Sequence, residues 1–389
     1  MPNKRFHLVI DGYEANTRHR VGSNVFAFEV IKALYEICRD HLELTVTIVL
    51  PSEPIADLPK ETKQWKYTIV TPVPFWTQWG LPWHIWQNRN TYDLLFTPSH
   101  YAPKFCSIPY ISSVMDTAYL EYPEQFKNSD AVKLKHWTAY SVKHAAKVIA
   151  ISEFTKQSII EKYHRNAGDI KVAYPAATLT QPAARSVLDR YGINSPYFLY
   201  VGTIQPRKNI ALLVAAYELY CKLFTKAKLT PHQQKTIRRA QLVVAGKTGW
   251  LAEPIVRRIE QSTEHDDIIL TGFVDDKTKA RLYTDASASV LVGLHEGFGI
   301  PPLEALGYGT IPIVSDTTSL PEVVGDAGLQ VDPTNVKDLA QALFDVQFLS
   351  SKRKAVYRRR GREQFAKFNW QSTAEIVWRT IEAELRKKK

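Results

Sequence analysis

Residues 288–315 read ASVLVGLHEGFGIPPLEALGYGTIPIVS. The apolar, β-branched run at 288–293 predicts a buried strand. A glycine-rich loop at 297–299 follows, and Pro301-Pro302 suits the first turn of a helix, where a missing N–H is not needed. The run 310–315 predicts the next strand. Strand, helix and strand in so short a span make one βαβ unit, whose two strands lie parallel in a sheet.

The same rhythm extends outward from this unit. Strands are expected at 196–202, 241–245 and 267–271, and in the first half at 5–10, 44–50, 66–71, 93–97, 108–114 and 147–151. Between them lie helical patterns. In 23–38, Phe26, Val30, Leu34 and Ile37 stripe one helix face. The stretch 175–186, PAATLTQPAARS, offers prolines and small residues with little to pack, and reads as a linker. Alternation on both sides of it predicts two α/β domains of the doubly wound, Rossmann-like kind. The expected division is 1–176 with 371–389, and 187–370. The final segment carries Ala374, Val377, Trp378, Ile381 and Leu385 at helical spacing. In such sheets ligands bind beyond the carboxyl ends of the strands, so an interdomain cleft is the expected site.

Composition sets the outer limits. The chain has 389 residues, 45% hydrophobic and 23% charged, enough for two cores without disulfides or structural metal. No apolar run approaches a membrane span, and the first apolar run is too short for a signal peptide. Cys38, Cys106 and Cys221 are far apart and odd in number, which fits a reducing, cytoplasmic compartment. The net charge of +11 and pI near 9.3 suit an anionic partner without choosing among nucleic acid, lipid surface and phosphorylated substrate.

Familiar phosphate motifs are missing. Ala245-Gly246-Lys247-Thr248 ends like a Walker loop, but Gln241 stands where the leading glycine belongs. No G-x-G-x-x-G follows the first strand, which argues against a dinucleotide-dependent dehydrogenase. With no His-Glu-x-x-His, Cys-x-x-Cys or Asp-x-Asp, neither a metal nor a cofactor is expected. Glu296 and Glu304, eight apart across the loop and helix start, remain. Amides at a helix start bind phosphate or hydroxyl oxygens, so both carboxylates can face one ligand. Equally, Glu304 can complement the helix dipole while Glu296 is solvated, and the spacing alone leaves both readings open.

The pair resembles the E-x7-E signature of retaining glycosyltransferases of the GT-B fold, specifically glycosyltransferase family 4. Val201-Gly202-Thr203-Ile204-Gln205-Pro206-Arg207-Lys208-Asn209 resembles that family's G-T-x-x-P-R-K-N segment. Gly272-Phe273-Val274 with Leu282-Tyr283, Ser319 to Gly325, and Ser152 to Lys156 also have counterparts, covering about 20 to 330. The resemblance implies metal-independent transfer of a hexose or 6-deoxyhexose from a nucleotide sugar (GDP-, UDP- or dTDP-linked) to a glycan or lipid-linked acceptor. Arg207 and Lys208 then stabilise the leaving diphosphate in place of a metal. Glu304 binds the ribose, Glu296 with the Phe298 and Gly299 amides holds sugar hydroxyls, and Phe273 and Val274 line the base pocket. Gly202, shortly before Arg207, belongs to the same donor-binding set. In the N-terminal lobe, Gly22 and more weakly Ser23 match a loop near the donor phosphate, and Asp116 is the remaining catalytic candidate.

One departure stands out. Relatives commonly have His-Asp where this chain has Met115-Asp116, and a thioether cannot donate a strong hydrogen bond. If that alignment holds, Met115 predicts a donor sugar that is 6-deoxy or lacks the hydroxyl needing this contact; mannose or glucose fits if water or another residue replaces the imidazole, and nearby His100 is either that residue or a structural histidine. Trp76, Trp79, Trp83 and Trp86 recur at helical spacing, interrupted by Gly80 and Pro82, and suit core packing or an acceptor or membrane wall. The basic run 352–362 and the terminal lysines predict peripheral attachment to an anionic membrane face. The rival readings are a nucleotide-sugar 2-epimerase of the same fold and a non-catalytic nucleic-acid binder. No nucleic-acid module supports the second.

Overall fold

The computed structural model describes residues 5–71 and 75–387. Two compact units are present. The first takes the chain to Pro123, then Asn128–Pro175 and the end from Phe368; the second takes Glu124–Lys127 and Ala176–Lys367. The division expected from sequence differs in placing 124–127 and Ala176 in the first unit, 368–370 in the second and 177–186 in neither.

The first unit is a seven-stranded parallel sheet: β1 (Phe6–Asp11), β2 (Leu44–Leu50), β3 (Trp65–Ile69), β4 (Leu94–Thr97), β5 (Tyr110–Val114), β6 (Lys147–Ala150) and β7 (Ile170–Val172), in the order β3-β2-β1-β4-β5-β6-β7. The second is a six-stranded parallel sheet: β8 (Tyr197–Val201), β9 (Gln241–Ala245), β10 (Ile268–Gly272), β11 (Ala288–Leu291), β12 (Pro312–Ser315) and β13 (Leu329–Val331), ordered β10-β9-β8-β11-β12-β13. β4 is buried at all four positions and β2 at six of its seven, which is why both are rich in apolar residues with only threonines interspersed. The sequence does not mark β7 and β13, three-residue edge strands whose middle residues, Lys171 and Gln330, are exposed.

The helix Ser23–Cys38 buries Phe26, Val30 and Leu34, and the last helix, Trp370–Arg386, packs against it. Asn369 caps that last helix by accepting the Ser372 N–H (2.8 Å), and Ala374, Val377, Ile381 and Leu385 form its buried stripe. Lys388 and Lys389 lie outside the described residues.

The stretch 175–186 is no loose linker. Thr180 exchanges bonds with the Tyr308 hydroxyl (2.8 and 3.1 Å), and Ala183 donates its N–H to Lys277 and accepts from Arg281 Nε (2.9 and 2.7 Å). From Ala176 on it is strapped onto the second unit. The partners lie about a hundred residues away, so composition could not show them.

The end of β1 carries a buried acid. Asp11 Oδ1 accepts both the Tyr13 N–H and the Trp76 indole N–H (3.1 Å each). Burial pushes its pKa up to about 6, against the pull of those two bonds. Because the folded value exceeds the ordinary 3.8, Asp11 favours folding fully below about pH 4 and loses that contribution as pH rises through about 6. Asp11→Asn keeps the accepting oxygen without the charge. It is expected to stabilise the protein by about 1–3 kcal/mol at pH 7.5 and by little at pH 4. Denaturant unfolding of both proteins at the two pH values checks this, and a gap that does not widen with pH contradicts it.

Candidate active site

In the second unit the strand order reverses between β8 and β11, and loops diverging at such a switch point leave a crevice at the strands' carboxyl ends. The chain leaving β8 passes Gly202, whose N–H donates to the Ala245 carbonyl (3.0 Å), and enters a 3-10 turn, Pro206–Lys208. The β8 and β9 loops touch backbone to backbone: a Cβ on Gly246 would fall 2.0 Å from the Gly202 carbonyl oxygen. Only glycine fits there.

The chain leaving β11 carries Glu296. Its carboxylate accepts two bonds from the Lys208 ammonium, at 2.6 and 2.8 Å, and both side chains are largely buried. The Leu294 N–H donates to the Arg207 carbonyl (3.0 Å), tying the two loops together by backbone as well. Ser319 Oγ spans the Glu296 and Phe298 carbonyls (2.7 and 2.8 Å) and fixes the loop from beneath. Gly299, at φ 110°, starts the helix Ile300–Gly307, and a Cβ there would sit 2.6 Å from Leu320 Cδ2.

Glu304 lies on that helix and is buried. Its Oε1 accepts from Lys279 Nζ (2.8 Å) and its Oε2 from the Tyr283 hydroxyl (3.1 Å). Burial alone opposes the Lys279 charge, yet the carboxylates of Glu304 and Asp276 outweigh it and raise the ammonium's pKa above its ordinary value. Tyr308 stacks on Tyr283 with ring centroids 5.7 Å apart. Glu296 and Glu304 are thus both inward-facing, each fixed by a cation. The solvated reading of Glu296 does not hold.

The remaining candidates are placed as follows. Phe273 follows β10 and is 70% exposed, while Val274 is half-buried beside it. Phe298 is buried, so its contribution toward a ligand is backbone. Gly22, Met115 and Asp116 belong to the first unit. Gly22 caps the helix Ser23–Cys38 at φ 53° with open space around it. Ser23 Oγ, by contrast, donates to Glu14 Oε2 (3.2 Å) and is turned to the protein. Met115 is buried at the end of β5, and Asp116 accepts the Ala118 N–H (3.3 Å).

Sequence reasoning assigned no role to Lys279, Tyr283 or Ser319. Lys279 and Tyr283 are four apart on the helix Asp276–Asp285, a spacing that aims both at one target. Among the described residues no three His, Cys, Asp or Glu side chains gather as a metal site requires.

The family model described as glycosyl transferases group 1 matches residues 189–364, the part that holds this site. O-antigen chain mannosyltransferase B of Escherichia coli is 30% identical over 295 residues, 74% of this chain and 74% of that protein. The chain belongs to the group 1 glycosyltransferases. It is also 32% identical over 244 residues to the serotype-specific mannosyltransferase WbdA of Escherichia coli, spanning 28% of that longer protein. Sucrose-phosphate synthase from Thermosynechococcus elongatus superposes over 97% of this chain and 100% of its own, with a TM-score of 0.70 at 18% identity. WaaG, over 95% of this chain and 98% of its own, gives 0.67 at 15%. These likenesses establish the GT-B fold of two parallel-sheet α/β domains.

Proposed function

We propose that this glycosyltransferase is a metal-independent, retaining member of family 4 that moves a mannosyl group from GDP-mannose to a glycan or lipid-linked glycan acceptor in polysaccharide assembly. The observation that carries the reading is the buried Lys208–Glu296 pair at the switch point, with Glu304 one helix turn beyond it, held by Lys279 and Tyr283. A diphosphate leaving group gains charge as the glycosidic bond breaks, and Arg207 and Lys208 supply fixed positive charge there. Glu296 keeps Lys208 ordered before donor arrives and then offers its carboxylate to sugar hydroxyls. Glu304 takes the ribose, and Phe273 is exposed to stack on a base. No carboxylate stands out as a nucleophile, so the acceptor attacks on the face the phosphate vacates, and that phosphate takes the acceptor's proton.

Names of relatives support the sugar and acceptor class: two are mannosyltransferases of O-antigen, and a Mycobacterium tuberculosis protein 25% identical over 291 residues is GDP-mannose-dependent. Met115 favours a second donor, a GDP-linked 6-deoxyhexose, because a methyl group tolerates a thioether where a hydroxyl is poorly satisfied. Thermal melts with GDP-mannose, UDP-glucose and dTDP-rhamnose test the reading. A donor at 100 times its dissociation constant should add about 2.7 kcal/mol of stability. Stabilisation by GDP-mannose with and without EDTA is expected, as is an α product by NMR. Stabilisation by UDP-glucose alone would sink the GDP assignment. Turnover of donor without acceptor would instead mark an epimerase.

Peripheral attachment to the inner membrane face belongs to the same reading. Among the described residues no helix is long and apolar enough to cross a membrane. The helix Ser351–Phe365 exposes Lys352, Arg353, Arg358, Arg359, Arg360 and Arg362, a charge array suited to anionic lipid.

A further inference from the structure

Gly80 and Pro82 do not break the tryptophan segment. A π-helical turn, Trp76–Gly80, runs directly into the α-helix Leu81–Gln87, with Pro82 in its first turn where it is tolerated. Trp76, Leu81 and Ile85 are buried in the first unit's core. Trp79, Trp83 and Trp86 lie on the other side and are 72%, 59% and 47% exposed, with Phe75 at 71% just before them. Large aromatics exposed together on one face mark an interaction surface, where a single exposed one would not.

The charge around this face is one-sided. From Thr62 to Tyr92 there is no Asp or Glu, whereas Lys63, Lys66 and Arg89 lie within it. The acids that bound the stretch are engaged by backbone: Glu61 accepts the Tyr67 N–H and Asp93 the His7 N–H (2.9 Å each). Trp83 and Trp86 stack with centroids 5.1 Å apart, and the Arg89 guanidinium lies over the Trp86 ring at 4.7 Å. A sugar platform needs free ring faces, and Trp86 already has an indole and a guanidinium on its ring. Exposed indoles beside a cation, on a helix face free of acids, suit the headgroup boundary of a bilayer.

We propose that the helix face formed by Trp79, Trp83 and Trp86, with Phe75, inserts into the interface of an anionic phospholipid bilayer. This extends the membrane attachment proposed above to the first unit, through a hydrophobic contact that salt does not screen. It does not depend on the donor assigned to the second unit.

The test uses the full chain with vesicles of equal parts phosphatidylcholine and phosphatidylglycerol. At high salt, basic contacts are screened and the aromatic part of binding should survive. The triple variant Trp79→Ser, Trp83→Ser, Trp86→Ser should lower that residual partitioning by on the order of 30-fold, with GDP affinity unchanged as the sign of an intact second unit. In the unaltered protein, vesicles with brominated acyl chains should quench tryptophan emission, a readout that needs no variant. Equal binding of variant and parent at high salt, or no quenching by bromolipid, would overturn the proposal. So would shielding of these indoles from acrylamide by a soluble mannooligosaccharide but not by vesicles, which would make the face a glycan platform.

Discussion

Lys208→Ala is expected to lower kcat by on the order of 1000-fold while weakening binding of the intact donor, GDP-mannose, far less. On the proposed reading, charge on the diphosphate grows from the bound donor to the transition state, so an ammonium beside it contributes more to turnover than to donor affinity. A second effect follows from the packing. Glu296 is 6% exposed and gives both carboxylate oxygens to Lys208, so truncating the lysine leaves a buried anion without that partner. Breaking a buried pair in this way costs about 3–5 kcal/mol. Fold loss and chemical loss must therefore be separated. The double variant Lys208→Met, Glu296→Gln removes both charges and should regain most of the thermal stability without regaining turnover. Arg207→Ala, whose backbone carbonyl still anchors Leu294, is expected to lower kcat with little effect on melting. The measurements are kcat, GDP-mannose affinity by calorimetry without acceptor, and melting temperature for all three. If kcat recovers along with stability in the double variant, Lys208 is a structural cation. If activity survives all three and depends on added Mg²⁺, a metal carries the leaving group.

Legibility in the sequence followed the range of the forces involved. Central strands and the helix Ser23–Cys38 were readable because burial on both sides writes itself as local apolar runs and periods. The edge strands Ile170–Val172 and Leu329–Val331 were not, since a three-residue strand leaves no period. The fate of 175–186 was hidden for another reason. Its bonds to Tyr308 and Arg281 are made by backbone atoms, which any residue supplies. At the site, spacing identified Glu296 and Glu304 but not their state. Whether an acid faces water or a buried lysine depends on Lys208, 88 positions earlier, and on Lys279, 25 earlier. The tryptophans show the converse: their spacing was visible, yet the π-helical turn that carries the helix through Gly80 was not.

Glu304→Ala should cut GDP affinity by about 100-fold or more, the second large effect. A carboxylate bonding two ribose hydroxyls makes charged hydrogen bonds worth about 1.5–3 kcal/mol each. In the resting structure both oxygens of the Glu304 carboxylate already have partners. Oε1 is held by Lys279 and Oε2 by Tyr283, so the carboxylate is aimed before ligand arrives, which lowers the ordering cost of binding. The same partners set the cost of truncation to the fold. Lys279 keeps Asp276 at 3.1 Å and is 24% exposed, so it can be hydrated. The Tyr283 hydroxyl is fully buried and loses its acceptor, at about 1–3 kcal/mol. Glu304→Gln supplies an acceptor for Tyr283 without the charge. It should melt closer to the parent than Glu304→Ala while still binding GDP poorly, because an amide oxygen is the weaker acceptor for ribose hydroxyls. Calorimetry with GDP and with guanine-free ribose 5-phosphate separates the contacts: the loss should appear for both ligands. Undiminished GDP affinity in Glu304→Ala would leave this acid as a structural partner of Lys279 and Tyr283 and move the ribose site elsewhere in the second unit.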